Sequence, residues 1–329
     1  MLRTRITENF GIQYPIMSAP MGMHSSGKLA AAVSNAGALG MFGGTNPGGP
    51  DWLRSEIRTA RELTDRPIGV GFITHLFAVF PTLVEIAVEE NVPLVGFSFA
   101  DPSPYAERVK AVGGTVICQV QSMRHAREAM ACGADILVAQ GNEAGGHTGT
   151  MALLPLLTQV IDAHPQIPVL AAGGIATPRS LAAVLAAGAD GAWLGTAFLA
   201  TPEAIEVSDA YKKIIIAASS ADTEYTSVFD LIETRFFGIP DWPEGIAARM
   251  YRNEMVKEWH GRDAELRQQI ENVLPRFAAA RERQDTEGIA IYMGQSASAI
   301  EEIRPAADVL HTICNDAERI LRERRSLLP

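Results

Sequence analysis

Residues Val169 to Thr196 read V-L-A-A-G-G-I-A-T-P-R-S-L-A-A-V-L-A-A-G-A-D-G-A-W-L-G-T. The apolar run Val169 to Ala172 suits a short strand buried on both faces, and Gly173-Gly174 breaks it. Thr177-Pro178 then opens a helix over Arg179 to Ala187: a threonine oxygen caps free amides, and proline fits the first helical turn. Gly188 marks the stop, because glycine accepts a left-handed backbone without a Cβ penalty, and Gly191 to Gly195 resumes a strand. The order is that of a parallel βα unit. Leu181 to Ala200 has about the length of a membrane span. However, Gly188-Ala189-Asp190-Gly191 places a charge and two glycines inside it, so a buried helix followed by a strand is the better reading.

The same alternation extends back to the start of the chain. Further strand candidates are Tyr14 to Ala19, Ala38 to Phe42, Ile68 to Phe72, Leu94 to Phe99, Thr115 to Val120 and Ile136 to Ala139, which makes eight runs in all. Helices are predicted over Lys28 to Asn35, Trp52 to Leu63 and Met123 to Ala131, each opened by a capping residue or an early proline. A doubly wound sheet would use the same alternation, but no G-x-G-x-x-G follows the first strand, and eight runs point to a (β/α)8 TIM barrel. From Ala200 to about Thr286 the texture changes to charged and helical, with candidates at Asp209 to Ser219, Gly245 to Trp259 and Arg262 to Asn272 and no strand-like run. The expected organisation is a barrel over 1–202 and 287–329, with a helical substrate or lid region over 203–286. The stretch Gln295 to Arg325 is expected to be helical and to close the barrel.

Composition limits the function. The chain has 329 residues, 47% hydrophobic and 20% charged, with 3 Cys and a formal net charge of -10. Those values exclude a disulfide framework and a disordered chain, and the acidic balance opposes sequence-independent binding to nucleic acid. The basic cluster Arg319, Arg322, Arg324 and Arg325 reads as a solvated last helical turn. Met1 to Phe10 lack an apolar core for a secretory signal, so a cytoplasmic setting is expected. Cys118, Cys132 and Cys314 lack metal spacing and read as packed thiols, and no metal is assigned.

Chemistry concentrates at the predicted strand ends. Gly173-Gly174 and Gly195-Thr196 follow the seventh and eighth strands, where a barrel commonly builds a phosphate site from backbone amides. Gln140-Gly141-Asn142-Glu143-Ala144-Gly145-Gly146-His147-Thr148-Gly149 follows the sixth. Its glycines let the loop fold over a ligand, and His147 can exchange a proton near neutrality. A lone loop histidine is more often a packing group; the glycine context here marks His147 as catalytic. Pro20-Met21-Gly22-Met23 could lie against a flat ligand. His24 and His75 follow the first and third strands and are weaker candidates for the mouth.

These segments together resemble the nitronate monooxygenase (2-nitropropane dioxygenase) family, FMN-dependent (β/α)8 barrels. The resemblance rests on Tyr14-Pro15-Ile16-Met17-Ser18-Ala19-Pro20-Met21, on Gln140 to Gly149, on Ala171 to Ile175 and on Gly191 to Thr196. It implies that Gly173, Gly174, Gly195 and Thr196 hold the FMN phosphate and that main-chain groups of Ser18, Ala19 and Met21 meet the isoalloxazine. It further implies that Gln119 and Gln140 reach the flavin, that Gly145 and Gly146 shape the loop against it, and that Gln295 approaches from the C-terminal segment. His147 matches the family's catalytic histidine. The chain departs from some relatives in having Gln119 for a lysine and Gly71 for an asparagine, and the insertion matches only in position and helical character.

The function implied is oxidative denitrification of an alkyl nitronate with O2, His147 serving as catalytic base or substrate-positioning group. Its partners would be a small molecule and O2, with no nucleic acid or membrane, and a homodimer is compatible. The alternative is an NAD(P)H-dependent flavin reductase acting on quinones or enoyl thioesters. A third class is a non-catalytic flavin carrier, which the histidine opposes, or a barrel that binds a phosphorylated metabolite without flavin, which a colourless preparation that FMN cannot reconstitute would favour.

Overall fold

In the computed structural model, which describes residues 2–324, the strands are β1 (Ile16–Ser18), β2 (Gly40–Gly43), β3 (Ile68–Ile73), β4 (Leu94–Ser98), β5 (Thr115–Val120), β6 (Ile136–Gln140), β7 (Gly146–Thr148), β8 (Val169–Ala172), β9 (Gly191–Leu194), β10 (Thr223–Thr226) and β11 (Ala247–Tyr251). Eight of them form a parallel sheet in the order β1-β9-β8-β6-β5-β4-β3-β2. A parallel bridge from Met17 to Leu39, with the Ser18 amide donating to the Leu39 carbonyl at 3.0 Å, closes that sheet into a (β/α)8 barrel. All eight predicted strands are present.

The two-residue period of the strands sorts their side chains. Met17, Met41, Ile117, Val138, Leu170 and Trp193 fill the interior of the barrel. Their neighbours Ile16, Phe42, Val116, Leu137 and Val169 face the surrounding helices in a second apolar layer. Burial on both sides is why the strands read as unbroken apolar runs. The helix Arg5–Phe10, capped by Thr4, sends Ile6 and Phe10 into the interior cluster and plugs one end of the barrel.

The region after β9 corrects the expectation of helices alone. Strands β10, β11 and β7 form a separate antiparallel sheet, in which Ala248 pairs with His147 and Arg249 with Gly146. Residues 247–251, expected within a helix, are thus a strand, and a helix begins only at Glu254, capped by the Asn253 side chain. The signal was weak because β10, Thr-Glu-Tyr-Thr, is polar, while β11 carries a buried arginine. The last predicted helix of the region runs instead from Asp263 to Arg283, continuing through Pro275. The C-terminal helix is Ala306–Arg324; Met1 and Arg325 lie outside the described residues. No described helix is long and apolar enough to cross a membrane.

Candidate active site

A cavity of about 400 Å³ opens at the C-terminal ends of the barrel strands and extends under the inserted segment. That is the end of a barrel at which catalytic residues collect. Ala19 and Met21 line it after β1, Gln119 on β5 and Gln140 on β6. Gly145, Gly146 and His147 enter from the following loop and β7, and Gly173, Gly174, Gly195 and Thr196 from the loops after β8 and β9.

Two predicted residues are not brought to this surface. Ser18 is fully buried, its hydroxyl donating to the Met41 carbonyl at 2.9 Å and accepting the Met41 amide at 2.7 Å, so it ties β1 to β2 instead. The Gln295 amide donates to the Glu143 carbonyl at 2.9 Å and its carbonyl accepts the Ser220 hydroxyl, while Tyr292 and Ser296 reach the cavity from the same segment. Both glutamine side chains are already engaged. Gln140 donates to the His147 carbonyl and accepts from Gln121, and Gln119 accepts the Ser98 hydroxyl.

The glycine wall fits a flavin phosphate. Gly173 and Gly174 adopt φ +106° and +70°, conformations that L side chains rarely take. A Cβ on Gly195 would meet only Met21 Sδ and Ala19 Cβ, at 3.6 and 3.7 Å on the cavity side, occupying the space a ligand would use. Thr45, on the same cavity wall, keeps a buried hydroxyl with no hydrogen-bond partner among the described residues.

His147 carries the acid-base geometry. Its Nε2 lies 2.7 Å from Asp230 Oδ1, and the two side chains are 12% and 7% exposed. An ionised carboxylate only accepts, so this contact places the neutral ring's proton on Nε2 and leaves the Nδ1 lone pair for a substrate. The Trp242 ring stacks on the imidazole with centroids 3.3 Å apart, and it also packs against His75 at 4.5 Å and Phe99 at 5.4 Å. His75, pushed down to about 4 by burial, has both ring nitrogens without a hydrogen-bond partner among the described residues and packs on Trp242 rather than lining the cavity. His24 does line it, with Nδ1 at 2.9 Å from the Gly22 carbonyl, and burial lowers its pKa. Met23 and Phe99, both at the cavity, have φ +58° and +70°, a strained choice for non-glycine residues that collects at functional sites.

Sequence reasoning missed Asp230, Glu233, Trp242 and Tyr292. Glu233 lines the cavity, accepts the Tyr292 hydroxyl at 3.0 Å, and is pushed up to about 7 by burial. The available signal was Asp230 and Glu233 three residues apart and set among Val228, Phe229, Leu231 and Ile232, where solvated charges are out of place.

Residues 3–79 and 73–316 match the nitronate monooxygenase family model. A nitronate monooxygenase of Pseudomonas aeruginosa is 32% identical over 339 residues, covering 81% of this chain and 95% of that protein. A (3aS,4S,5R,7aS)-5-hydroxy-7a-methyl-1-oxo-octahydro-1H-indene-4-carboxyl-CoA dehydrogenase of Mycobacterium tuberculosis is 36% identical over 259 residues, 78% of this chain and 68% of that one. Among solved structures, FabK from Thermotoga maritima superposes with a TM-score of 0.87 at 33% identity, over 100% of both chains.

Proposed function

The chain belongs to the nitronate monooxygenase family of flavin oxidoreductases, and on that footing we propose that it is an FMN-dependent enzyme oxidising alkyl nitronates with O2. The observation that carries this reading is the His147–Asp230 contact of 2.7 Å at a cavity walled by the glycine loops. Gly173, Gly174, Gly195 and Thr196 would hold the FMN phosphate, Ala19 and Met21 would offer main-chain groups to the ring, and Gln119 and Gln140 would offer side-chain amides. Bound there, FMN would carry electrons between substrate and O2.

The chain's own residues supply position and proton transfer. His147 Nδ1 accepts the α-proton of a neutral nitroalkane, the C–H electron pair passing into the nitro group, or, when the ring is protonated on both nitrogens, donates a hydrogen bond to an arriving nitronate. Asp230 fixes the ring and balances the imidazolium that results. Trp242, stacked on the ring, keeps solvent from one of its faces.

The likeness to a carboxyl-CoA dehydrogenase favours a second reading, an NAD(P)H-dependent reductase of quinones or enoyl thioesters. Against it, no lysine or arginine is among the described residues lining the cavity, so a pyrophosphate would find no cation there. Anaerobic visible spectra of the FMN-loaded protein separate the two. Bleaching by nitroalkane or nitronate and none by NADH or NADPH is expected; bleaching by the nicotinamide alone would replace the first reading with the second.

A further inference from the structure

We propose that His24 and Thr45 form a second polar subsite in the cavity, which takes a hydroxyl group carried on the alkyl chain of the substrate. The inference rests on the nitronate chemistry above and specifies which nitroalkanes the site prefers. His24 stands on the loop after β1 and Thr45 on the loop after β2, and both line the cavity. Gly22 joins them: its carbonyl holds His24 Nδ1 at 2.9 Å, and a Cβ on it would lie 3.7 Å from the Thr45 carbonyl. Ile73, Leu76 and Phe80, from β3 and the segment after it, line the same cavity with apolar surface.

The His24 ring is held in place by its neighbours. It packs against Tyr211 and Tyr292, with centroids 5.4 and 5.8 Å away. Met23, directly before it, has φ +58°, strain of the kind that collects at functional sites. Both tyrosine hydroxyls are engaged elsewhere, on the Tyr292 carbonyl and on Glu233. Burial lowers the His24 pKa, so the ring is neutral near pH 7. A carbonyl only accepts, which places the ring proton on Nδ1 and leaves Nε2, without a partner among the described residues, as an acceptor. Thr45 is 8% exposed, and its hydroxyl also has no partner among the described residues. Leaving a buried hydroxyl unpaired is costly, and a ligand that pairs it recovers that cost. An alcohol is the complement of the two groups: its O–H donates to Nε2 while its oxygen accepts the Thr45 hydroxyl. A methyl group leaves both unpaired, and a carbonyl or ether oxygen has no proton to give Nε2.

The test is calorimetric titration of the FMN-loaded protein with inert nitro compounds that have no α-hydrogen to lose and differ only in hydroxyl for methyl. The pairs are 2-methyl-2-nitropropan-1-ol against 2-methyl-2-nitrobutane, and 3-methyl-3-nitrobutan-1-ol against 2-methyl-2-nitropentane. Wild type should bind the alcohol of at least one pair about tenfold more tightly than its methyl partner. His24→Leu and Thr45→Val should each bring that ratio close to one, while Thr45→Ser, which keeps the hydroxyl, should preserve it. The ratio is taken within each protein, so differences in stability do not enter, and either variant serves where the other does not fold. Equal binding within both pairs by wild type would mean that the two groups face water, and would overturn the proposal. So would a ratio that survives both substitutions; a fall in FMN affinity beside it would assign the two groups to a ribityl hydroxyl of the flavin instead. Failure of the nitronate chemistry itself would appear elsewhere, as flavin that no nitroalkane bleaches, with the binding ratio unchanged.

Discussion

His147 owes its poise to a residue 83 positions away. Without Asp230 the imidazole could carry its proton on either nitrogen and rotate; with it, Nδ1 is held as the acceptor. His147→Ala should therefore keep flavin and lose most turnover of neutral nitroalkane. Asp230→Asn, which can still accept from Nε2 but cannot balance an imidazolium, should lower kcat/KM on neutral nitroalkane on the order of 10²-fold without slowing preformed nitronate. Steady-state rates on the two forms, with flavin content measured beside them, check this; equal losses on both would make Asp230 a structural residue only. His147 was legible in the sequence because glycines flank it. Asp230 was not, since its partner is fixed by a fold in which β7, β11 and the helix Val228–Phe237 converge.

At the scale of elements, the barrel strands stay close to their helices through residues with no side chain. A Cβ on Gly40 would fall inside the Ala30 carbonyl of the helix Gly27–Asn35, which packs over β2. Gly40→Ala must push that helix outward or break the β2 pairing. Overpacking a tight core costs about 1–3 kcal/mol, so thermal denaturation should show a Tm lower by several degrees with FMN bound. An unchanged Tm would mean that the helix is free to shift. The sequence announced these elements through apolar runs and glycine stops, whereas β10 and β11 were unreadable. Their four and five residues are too few for a clear period, and β11 spends one of them on Arg249, whose charge would mark an exposed position. Only the tertiary partners explain it: Arg249 donates to the Asn142 carbonyl at 2.7 Å and to Thr223 at 3.1 Å, pinning the loop that carries His147.

Across the whole molecule, the two ends of the barrel have different duties. Opposite the cavity, Arg5 of the plugging helix grips Asp190 with two hydrogen bonds of 2.8 and 2.7 Å, and Asp190 also accepts the Val169 amide at 3.0 Å. Asp190→Ala leaves the buried Val169 amide unpaired and takes from the part-exposed Arg5 guanidinium all but its hydrogen bond to the Pro165 carbonyl, and should cost about 1–2 kcal/mol of stability. Urea denaturation should show that loss while kcat per bound flavin stays unchanged; a fall in kcat would mean that this end reaches the chemistry. The βα alternation, the count of eight strands, the glycine loops and His147 are all legible along the chain, because each is written in local periodicity or in a contiguous motif. The fold alone sets that Ser18 and Gln295 do not line the cavity, that a small sheet anchors the loop carrying His147, and that Asp230 and Glu233 reach the same cavity region. Those outcomes depend on contacts between segments far apart in the chain, and no local pattern records which distant carboxylate a histidine will face.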